Sequence, residues 1–478
     1  MKWHQRFFWL LLAFLPTQLG YHFWPAWAGV LGRRVDYLAP TIYLTDILLF
    51  TTLVVWFYES FFRIMKYELG IMARSKKLIS FIIHNSRFII LLLAVVLVNI
   101  FIAQNRYVAG YKWLKILEFV LLGWYIVRTK PSLTTIITPL SVGVLYSSVL
   151  AIGQFLLQHS IGGPLWWLGE RTFTVDTPGI ARFDFHFPPA SPAGGLFTFH
   201  FSLFGLRPYA TFPHPNVLGG FLAAVMPLLI YNLQIYKSTN LPMNESMKKM
   251  YQWFLSVTFV VGIIALGLTF SRSAIVVGMI AIAVTFVKIK NASQKVKMLQ
   301  PGFIIALLLF LSLITYHLSL LDFTSESVIV RQQLNTAAIK LWQSSSLFGV
   351  GLGNFLVRLP ETLPTRTIYF LQPVHNIYLL LLSEIGVVGI GIIVFWIALQ
   401  SQKWRVYSVK KKKNSLFTFH FSLFTLLLLG LVDHYPISLQ QGQLLLTVLA
   451  AMSLKEVRDV PHFAKATRGK RDVREVKE

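Results

Sequence analysis

Residues 374–399 read VHNIYLLLLSEIGVVGIGIIVFWIAL, and this stretch indicates what class of protein the chain forms. After His375 and Asn376 the residues are almost all apolar, and the run exceeds the roughly 20 residues with which a helix crosses a bilayer. Glu384 is the one acidic residue in the run. His375 is therefore expected where a membrane-spanning helix begins, at the boundary between lipid and water.

The residues before this run predict an amphipathic helix and a tight turn. Between Ser327 and Ser346, apolar residues such as Val330, Leu334 and Leu341 recur at helical spacing with polar residues between them, which is typical of a helix lying on a surface. GVGLGNF follows at residues 349–355. Its three glycines imitate a dinucleotide-binding loop, but no strand precedes them, so a turn that returns the chain to the membrane is expected.

The composition excludes a soluble domain. Hydrophobic residues make up 55% of the chain and charged residues only 13%, and the mean hydropathy is +0.61, which is typical of a polytopic membrane protein. The 44 basic and 19 acidic residues give a formal charge of +25. Because the basic residues concentrate in short loops on one side of the predicted spans, the surplus indicates membrane orientation rather than nucleic-acid binding. The absence of cysteine excludes disulfides, thiolate nucleophiles and Cys-ligated zinc.

Apolar segments of suitable length recur along the chain and predict an all-α polytopic protein with about twelve transmembrane helices and both termini in the cytoplasm. They are residues 7–24, 42–62, 88–103, 113–127, 134–157, 216–236, 251–270, 274–287, 303–321, 376–399, 416–432 and 437–454. The first segment can also be interpreted as a cleaved signal peptide.

These spans divide the chain into an N-terminal transmembrane bundle, two long outer segments, a transmembrane core and a tail. The bundle is residues 1–157, the first outer segment 158–215, the core 216–454 with the second outer segment at 321–375, and the basic cytoplasmic tail 455–478. Since the inner loops are short and basic, chemistry is expected on the outer face.

One nine-residue sequence, LFTFHFSLF, occurs twice, at Leu196–Phe204 and at Leu416–Phe424. The first copy lies in an outer segment, and the second opens a predicted span. Two copies without a fixed period do not predict a repeat architecture.

Four short blocks carry a resemblance to a known family. They are RPYATFPHPN at 207–216, TFSRS at 269–273, GVGLGNF at 349–355, and HNIY at 375–378 with EIG at 384–386. In this order between spans, they resemble the O-antigen ligase and O-antigen polymerase superfamily. The resemblance covers about residues 205–400, whereas the N-terminal third is similar only in hydropathy.

The resemblance implies a GT-C-like glycosyltransferase of the cytoplasmic membrane, with its active site on the outer face. Its donor would be a glycan linked to polyprenyl pyrophosphate, and its acceptor a glycan, a lipid or a protein. Transfer would invert the anomeric carbon and require neither a metal nor another cofactor. The sequence leaves open whether the enzyme is a ligase or a polymerase.

The resemblance also implies roles for two arginines. Arg272, after the Phe-Ser pair, and Arg331, on the amphipathic helix, would bind the pyrophosphate of the donor. Here the chain has SRSAI at 271–275 where the family often has SRGAW. Arg331 matches the family's arginine by its position in the chain more than by the residues around it. Arginine suits this role because it stays protonated and grips phosphate oxygens in bidentate fashion.

By the same resemblance, His375 is the catalytic residue, and its ordinary pKa near 6.5 suits it to accept the proton of a sugar hydroxyl. Arg207 and His214 flank a proline-rich approach to a span and are candidates for binding the donor or the acceptor. Asn376 and Tyr378 are possible supporting residues or acceptor contacts.

Three other features keep alternatives open. Glu384 follows His375 by about two and a half helical turns, so it is expected to be a buried structural partner rather than to orient the imidazole. Asp184 and His186 could ligate a metal, though two residues in a loop are a weak signal. Asp433 and His434, between the last two spans, could be a second acid/base pair or an ordinary helix cap.

The main alternative function is a polyprenyl-linked glycan flippase or another lipid transporter without catalysis. It would share the spans, the charge and the lipid, but it should place charged residues along a mid-membrane path. A non-catalytic scaffold for polymer assembly is the second alternative.

Overall fold

The computed structural model describes residues 1–65, 90–186, 202–238, 244–290, 326–363, 371–408 and 414–454. The helices are α1 (Trp3–Ala13), α2 (Leu44–Met65), α3 (Ile90–Ile102), α4 (Arg106–Thr129), α5 (Leu133–Leu157), α6 (Pro215–Ser238), α7 (Glu245–Leu268), α8 (Arg272–Lys290), α9 (Glu326–Ser344), α10 (Phe355–Thr362), α11 (Ile377–Ser408), α12 (Asn414–Leu429) and α13 (Gln440–Ser453). A helical turn at Tyr435–Ser438 precedes α13.

Six short strands accompany the helices. They are β1 (Gly20–His22), β2 (Gly29–Val30), β3 (Arg33–Arg34), β4 (Thr41–Tyr43), β5 (Arg182–His186) and β6 (Ser202–Leu206). They pair antiparallel as β1 with β4, β2 with β3, and β5 with β6. The first four strands shape the segment between α1 and α2, and the last two lie between α5 and α6.

Five of the described helices are long and apolar enough to cross a membrane, at Leu44–Phe61, Leu133–Leu157, Pro215–Gln234, Glu245–Leu268 and Ile377–Ala398. Shorter apolar helices lie at Ile90–Ile102, Arg272–Val287 and Phe417–Leu429. The mostly helical chain with several such helices is a polytopic membrane protein, as the hydropathy predicts.

Several of the spans predicted from the sequence differ from the helices of the structure. The expected span at residues 7–24 is wrong as drawn, because α1 ends at Ala13 and β1 begins at Gly20. Its 11 residues extend about 16 Å, roughly half of the hydrocarbon thickness. Residues 113–127 are helical within α4, but Lys115 and Glu118 make that helix more polar than a typical span. The expected span at 303–321 lies outside the described residues.

Helix α6 is the centre of the bundle. Of its most apolar window, 94% is buried, and it packs against α5, α7, α8 and α12. The helix is apolar on every face between Val217 and Ile230, and a helix of this kind is stable only when it is enclosed. A Cβ added at Gly219 would lie 2.9 Å from the Cβ of Ala274, so this glycine lets α8 approach closely.

Helices α9, α10 and α11 form a second packed group, joined by the glycine-rich turn. Gly349, Gly351 and Gly353 have φ angles of +72°, +100° and +73°, which L-residues with side chains rarely adopt. A Cβ added at Gly349 would lie 2.3 Å from the carbonyl carbon of Glu384. The expected tight turn is confirmed, and close contact with α11 explains the glycine.

Glu384 is buried and holds this turn against α11. Its Oε1 accepts a hydrogen bond from the backbone N–H of Phe355 (3.3 Å). From α3, the Asn99 side chain donates to the carbonyls of Phe348 and Glu384, both at 2.9 Å. The expectation of a buried structural partner is confirmed. Two residues further on, Gly386 has φ +64° and kinks α11.

Candidate active site

Four separate segments meet at one end of the bundle. Arg207 connects two of them, because its Nε donates to the carbonyl of Thr269 (2.8 Å) and its Nη2 donates to the side chain of Asn216 (2.8 Å). Asn216 in turn donates to Asp433 Oδ2 (3.1 Å), between α12 and α13. The start of α11 joins them, since Ile377 N donates to the carbonyl of Gly430 (2.8 Å).

Arg272 and Arg331 lie near enough to Arg207 for their charges to affect its pKa. The pKa of Arg207 is lowered to about 10, chiefly by burial and also by the positive charges of Arg272 and Arg331, while Tyr209 and the carboxylate of Asp433 oppose the shift. Arg272 is exposed and Arg331 is half-buried. Within the described part of the chain, no acidic side chain forms an ion pair with any of the three. Cations left without a carboxylate are available to an anionic ligand.

Local structure explains where Arg272 lies. It begins α8 after a turn in which Phe270 has φ +48°, a conformation that costs a residue with a side chain about 1–2 kcal/mol. The N–H groups in the first turn of a helix lack intrahelical partners and favour an anion. Arg272 therefore adds its charge at a helix end that itself favours negative charge.

The segment that carries Arg207 is held by helix α5. Gln154, fully buried in α5, accepts hydrogen bonds from the backbone N–H groups of Tyr209 (3.0 Å) and Ala210 (2.7 Å). Its amide donates to Glu170 Oε1 (2.8 Å). Ala210 has φ +51°, so the hydrogen bonds from Gln154, which we call the Gln154 clamp, hold a strained turn shortly after Arg207.

His375 lies beside a carboxylate from a distant part of the chain. Its Nδ1 is 3.7 Å from Asp433 Oδ1, and its ring centroid is 5.0 Å from that of His434. Burial alone would raise the pKa of the Asp433 carboxyl, but the interaction with His375 and the neighbouring imidazoles hold this pKa well below its ordinary value. Asp433 is therefore an anion that can orient the imidazole.

His214 is neutral. Burial and the charge of Arg207 lower its pKa to about 3, although Asp433 opposes them. Its Nδ1 accepts a hydrogen bond from the backbone N–H of Asn216 (3.1 Å), which requires the proton on Nε2. This histidine supports the first turn of α6 and can offer one N–H donor.

Asn376 and Tyr378 fix the start of α11. Asn376 Oδ1 accepts from the backbone N–H groups of Tyr378 (2.9 Å) and Leu379 (3.1 Å), which is an N-cap. The hydroxyl of Tyr378 donates to the carbonyl of Leu427 in α12 (3.0 Å). Both side chains have structural partners, and both help to place His375.

The sequence prediction passed over two residues here and gave too little weight to a third. Tyr37 packs edge-on against His434, with 5.5 Å between ring centroids, and Arg171 donates to the carbonyl of Pro213 (3.3 Å). Neither has a sequence signal, because their proximity arises only on folding. Asp433 did have one, as a polar residue between two apolar segments, but its partner His375 could not be identified.

Three of these side chains could hold a metal ion. His375, Asp433 and His434 each offer one ligand atom, and the three atoms lie within 4.8 Å of one another. The sequence predicted no metal site, and no motif could reveal this one because the residues come from two separate segments. Asp184 and His186 both lie in strand β5, but their side chains lie outside those described.

A family model described as O-antigen ligase matches residues 257–394. This region belongs to the O-antigen ligase family. The O-antigen ligase region contains Arg272, Arg331 and His375, and the match confirms the resemblance predicted from the short motifs. It indicates a membrane enzyme of glycan assembly. No curated protein and no solved structure matches the chain.

Proposed function

We propose that this protein is a glycosyltransferase of the O-antigen ligase or polymerase type. It transfers a polyprenyl-pyrophosphate-linked glycan to an acceptor hydroxyl at the outer face of the cytoplasmic membrane. The proposal rests on two observations: three arginines that have no acidic partner among the described residues, two of which act electrostatically on the third, and an imidazole beside a buried carboxylate. The arginines suit the binding of a diphosphate, and the imidazole beside the carboxylate suits proton transfer.

The arginines stabilise the leaving group. When the sugar–phosphate bond breaks, negative charge grows on the diphosphate, and guanidinium groups can bind its oxygens in pairs. At about 4 Å and an effective dielectric constant of about 20, one such contact contributes about 4 kcal/mol before desolvation. Arg272 and Arg331 are the principal contacts, because Arg207 already uses two of its N–H groups within the protein.

His375 is the base. Asp433 favours the tautomer with the proton on Nδ1, which leaves the lone pair on Nε2 for the acceptor hydroxyl. The acceptor oxygen attacks the anomeric carbon while its proton moves to Nε2, and the bond to the diphosphate breaks with its electron pair leaving on polyprenyl diphosphate. Attack opposite the leaving group inverts the anomeric carbon, and Asp433 stays ionised.

The outer-face location is supported by the positive-inside distribution of lysine and arginine. Placing the basic loops in the cytoplasm puts the turns before α6, between α7 and α8, and between α12 and α13 on the opposite side. A polyprenyl donor would then reach the arginines from within the membrane, and the acceptor would approach from the water.

The test is polysaccharide profiling of a deletion strain complemented with wild-type protein, His375→Ala or His159→Ala. His159 is the matched control, because it is exposed and its Nδ1 hydrogen-bonds to the backbone carbonyl of the next residue. We expect wild-type protein and His159→Ala to restore the surface glycan and His375→Ala to fail at equal expression.

The glycan left in the deletion strain distinguishes the candidate activities. Shortened chains indicate a polymerase, and normal polymer retained on its lipid carrier at the outer face indicates a ligase. Lipid-linked glycan trapped at the cytoplasmic face would indicate a flippase and would refute the proposal, as would full restoration by His375→Ala.

A further inference from the structure

We propose that His375, Asp433 and His434 form a binding site for a first-row transition-metal ion such as Zn²⁺, and that the bound ion stops glycan transfer. The existence of the site is independent of the enzymatic activity. The inhibition rests on the proposed function, because it requires His375 to act as the base.

The spacing of the ligand atoms suits a small ion. Zn²⁺ binds nitrogen and oxygen at about 2.0–2.1 Å in tetrahedral geometry, which separates two ligand atoms by about 3.4 Å. His375 Nδ1 and Asp433 Oδ1 are already 3.7 Å apart, and the third ligand atom lies within 4.8 Å of both. Because hydrogen bonds hold Asp433 and His434, we expect rotation of the His375 imidazole to close the remaining gap.

The lone pairs that a metal needs are available. His375 Nδ1 is buried and has no hydrogen-bond partner among the residues that the structure describes. In the next turn, Ser438 Oγ donates to the carbonyl of His434 (2.9 Å), so it must accept from His434 Nδ1 (2.6 Å). That tautomer carries its lone pair on Nε2.

The surrounding hydrogen bonds are those of a metal site. Metal-binding histidines usually donate their second N–H to a neighbouring oxygen, as His434 does to Ser438, and ligating carboxylates are usually hydrogen-bonded. Asp433 accepts from Asn216 Nδ2 (3.1 Å) and from the backbone N–H of His434 (2.8 Å). These contacts fix two of the three ligands before an ion arrives.

The donor set selects the class of ion. Two imidazoles and one carboxylate suit Zn²⁺, Co²⁺, Ni²⁺ and Cu²⁺, whereas Mg²⁺ and Ca²⁺ prefer oxygen ligands. Three protein ligands leave the fourth position open, and the partly exposed His375 gives access to it. The nearby charge of Arg207 weakens the binding of any cation, so we expect micromolar rather than nanomolar affinity.

Inhibition follows from the tautomer of His375. Transfer needs the proton on Nδ1, facing Asp433, and the lone pair on Nε2. A metal bound through Nδ1 requires the other neutral tautomer of His375, whose single ring proton is on Nε2. Nε2 can then no longer accept a proton from the acceptor hydroxyl. His375 therefore cannot bind the metal ion and act as the base at the same time.

The binding test uses the full-length protein in detergent, purified with a histidine-free affinity tag and treated with EDTA. Co²⁺ is titrated while its visible absorption is recorded, and Zn²⁺ is then used to displace it. We expect one equivalent to bind in the wild-type protein and in the control His159→Gln, at least tenfold weaker binding in His434→Gln and His375→Gln, and no competition from Mg²⁺.

Lack of Co²⁺ binding at 100-fold molar excess would overturn the site. Unchanged binding in both ligand variants would overturn it too, because the ion would then bind elsewhere. Thermal melts of each variant before titration show whether a loss of binding reflects a loss of fold.

The activity test measures glycan transfer against Zn²⁺ concentration, with reversal by EDTA. We expect the half-inhibiting concentration for His434→Gln, relative to its own metal-free rate, to rise at least tenfold. An unchanged value would overturn the inhibition. Because Co²⁺ absorption does not depend on catalysis, a protein that binds Co²⁺ here but never transfers glycan would refute the proposed function and leave the metal site intact.

Discussion

Replacing Asp433 with asparagine keeps the shape of the side chain and removes its charge. In the proposed reaction His375 becomes an imidazolium, and its Nδ1 lies 3.7 Å from Asp433 Oδ1. Coulomb's law with an effective dielectric constant of about 20 gives about 4.5 kcal/mol for unit charges at this distance. The two side chains are 18% and 11% exposed, so solvent reduces this energy, and we expect Asp433→Asn to slow transfer about 10²–10³-fold.

The assay should separate kcat from KM. Membranes of the deletion strain carrying each variant are given a fluorescent polyprenyl-diphosphate glycan, and its transfer is followed by gel electrophoresis. The reduction is expected in kcat, with the KM for the donor within about twofold, because the arginines rather than Asp433 bind the diphosphate. Asp36→Asn is the matched control, since Asp36 is exposed in the segment between β3 and β4.

Two results would refute the reasoning. A kcat for Asp433→Asn within threefold of wild type, in a preparation where His375→Ala is inactive, would show that the carboxylate does not position the base. A higher donor KM with an unchanged kcat would assign Asp433 to binding. A lower melting temperature matched by equal losses in every parameter would indicate only a folding defect.

The remaining predictions concern charge, backbone and pH. Arg272→Lys should reduce transfer at least tenfold, because an ammonium cannot form the bidentate contact; Arg358→Lys, at an arginine paired with Glu361 on α10, should keep wild-type transfer. Gly349→Ala should lower thermal stability by about 2 kcal/mol or more, since its φ is +72° and its Cβ would meet α11; Gly391→Ala, where a Cβ meets nothing within 4 Å, should be neutral or slightly stabilising. Below pH 6.5 the unfolded His214 gains a proton that the folded one, with a pKa of about 3, does not take up. The free energy of unfolding should therefore decrease by about 2 kcal/mol between pH 7 and pH 5. Thermal melts of His214→Asn should show a weaker dependence of stability on pH by this amount. An unchanged pH dependence would contradict the prediction.

Much of the site was predictable because its residues stand in short motifs beside apolar runs. The sequence identified Arg207, Arg272, Arg331 and His375 in this way, and the fold brings the three arginines together. Their catalytic and binding roles stay predictions. The motif residues Asn376 and Tyr378 were also identified, but only coordinates show that their polar groups cap α11 and bond to α12.

Other parts could not be predicted, because contact between distant segments has no local signal. Asp433 follows His375 by two helices, and Tyr37 comes from the N-terminal segment, outside the O-antigen ligase match. The first span failed for a different reason, since residues 7–24 carry no charged residue while the helix ends at Ala13. The hydropathy of a segment does not predict the residue at which a helix ends.

The repeated sequence LFTFHFSLF shows that the same residues can form different secondary structures in this protein. Ser202-Leu203-Phe204 lies in strand β6, whereas Ser422-Leu423-Phe424, at the same place in the second copy, lies in helix α12. Identical residues adopt different structures because β6 gains its backbone hydrogen bonds from β5, while a helix provides its own.

Membrane class, the apolar helices and the motif residues were determined by the sequence itself, because transfer of an apolar segment into lipid depends on that segment alone. The partner of His375, the clamp of Gln154 on the Arg207 segment and the His375–Asp433–His434 cluster were decided only by tertiary structure. Each depends on distances between helices, which are set by packing over the whole bundle and by no single stretch of residues.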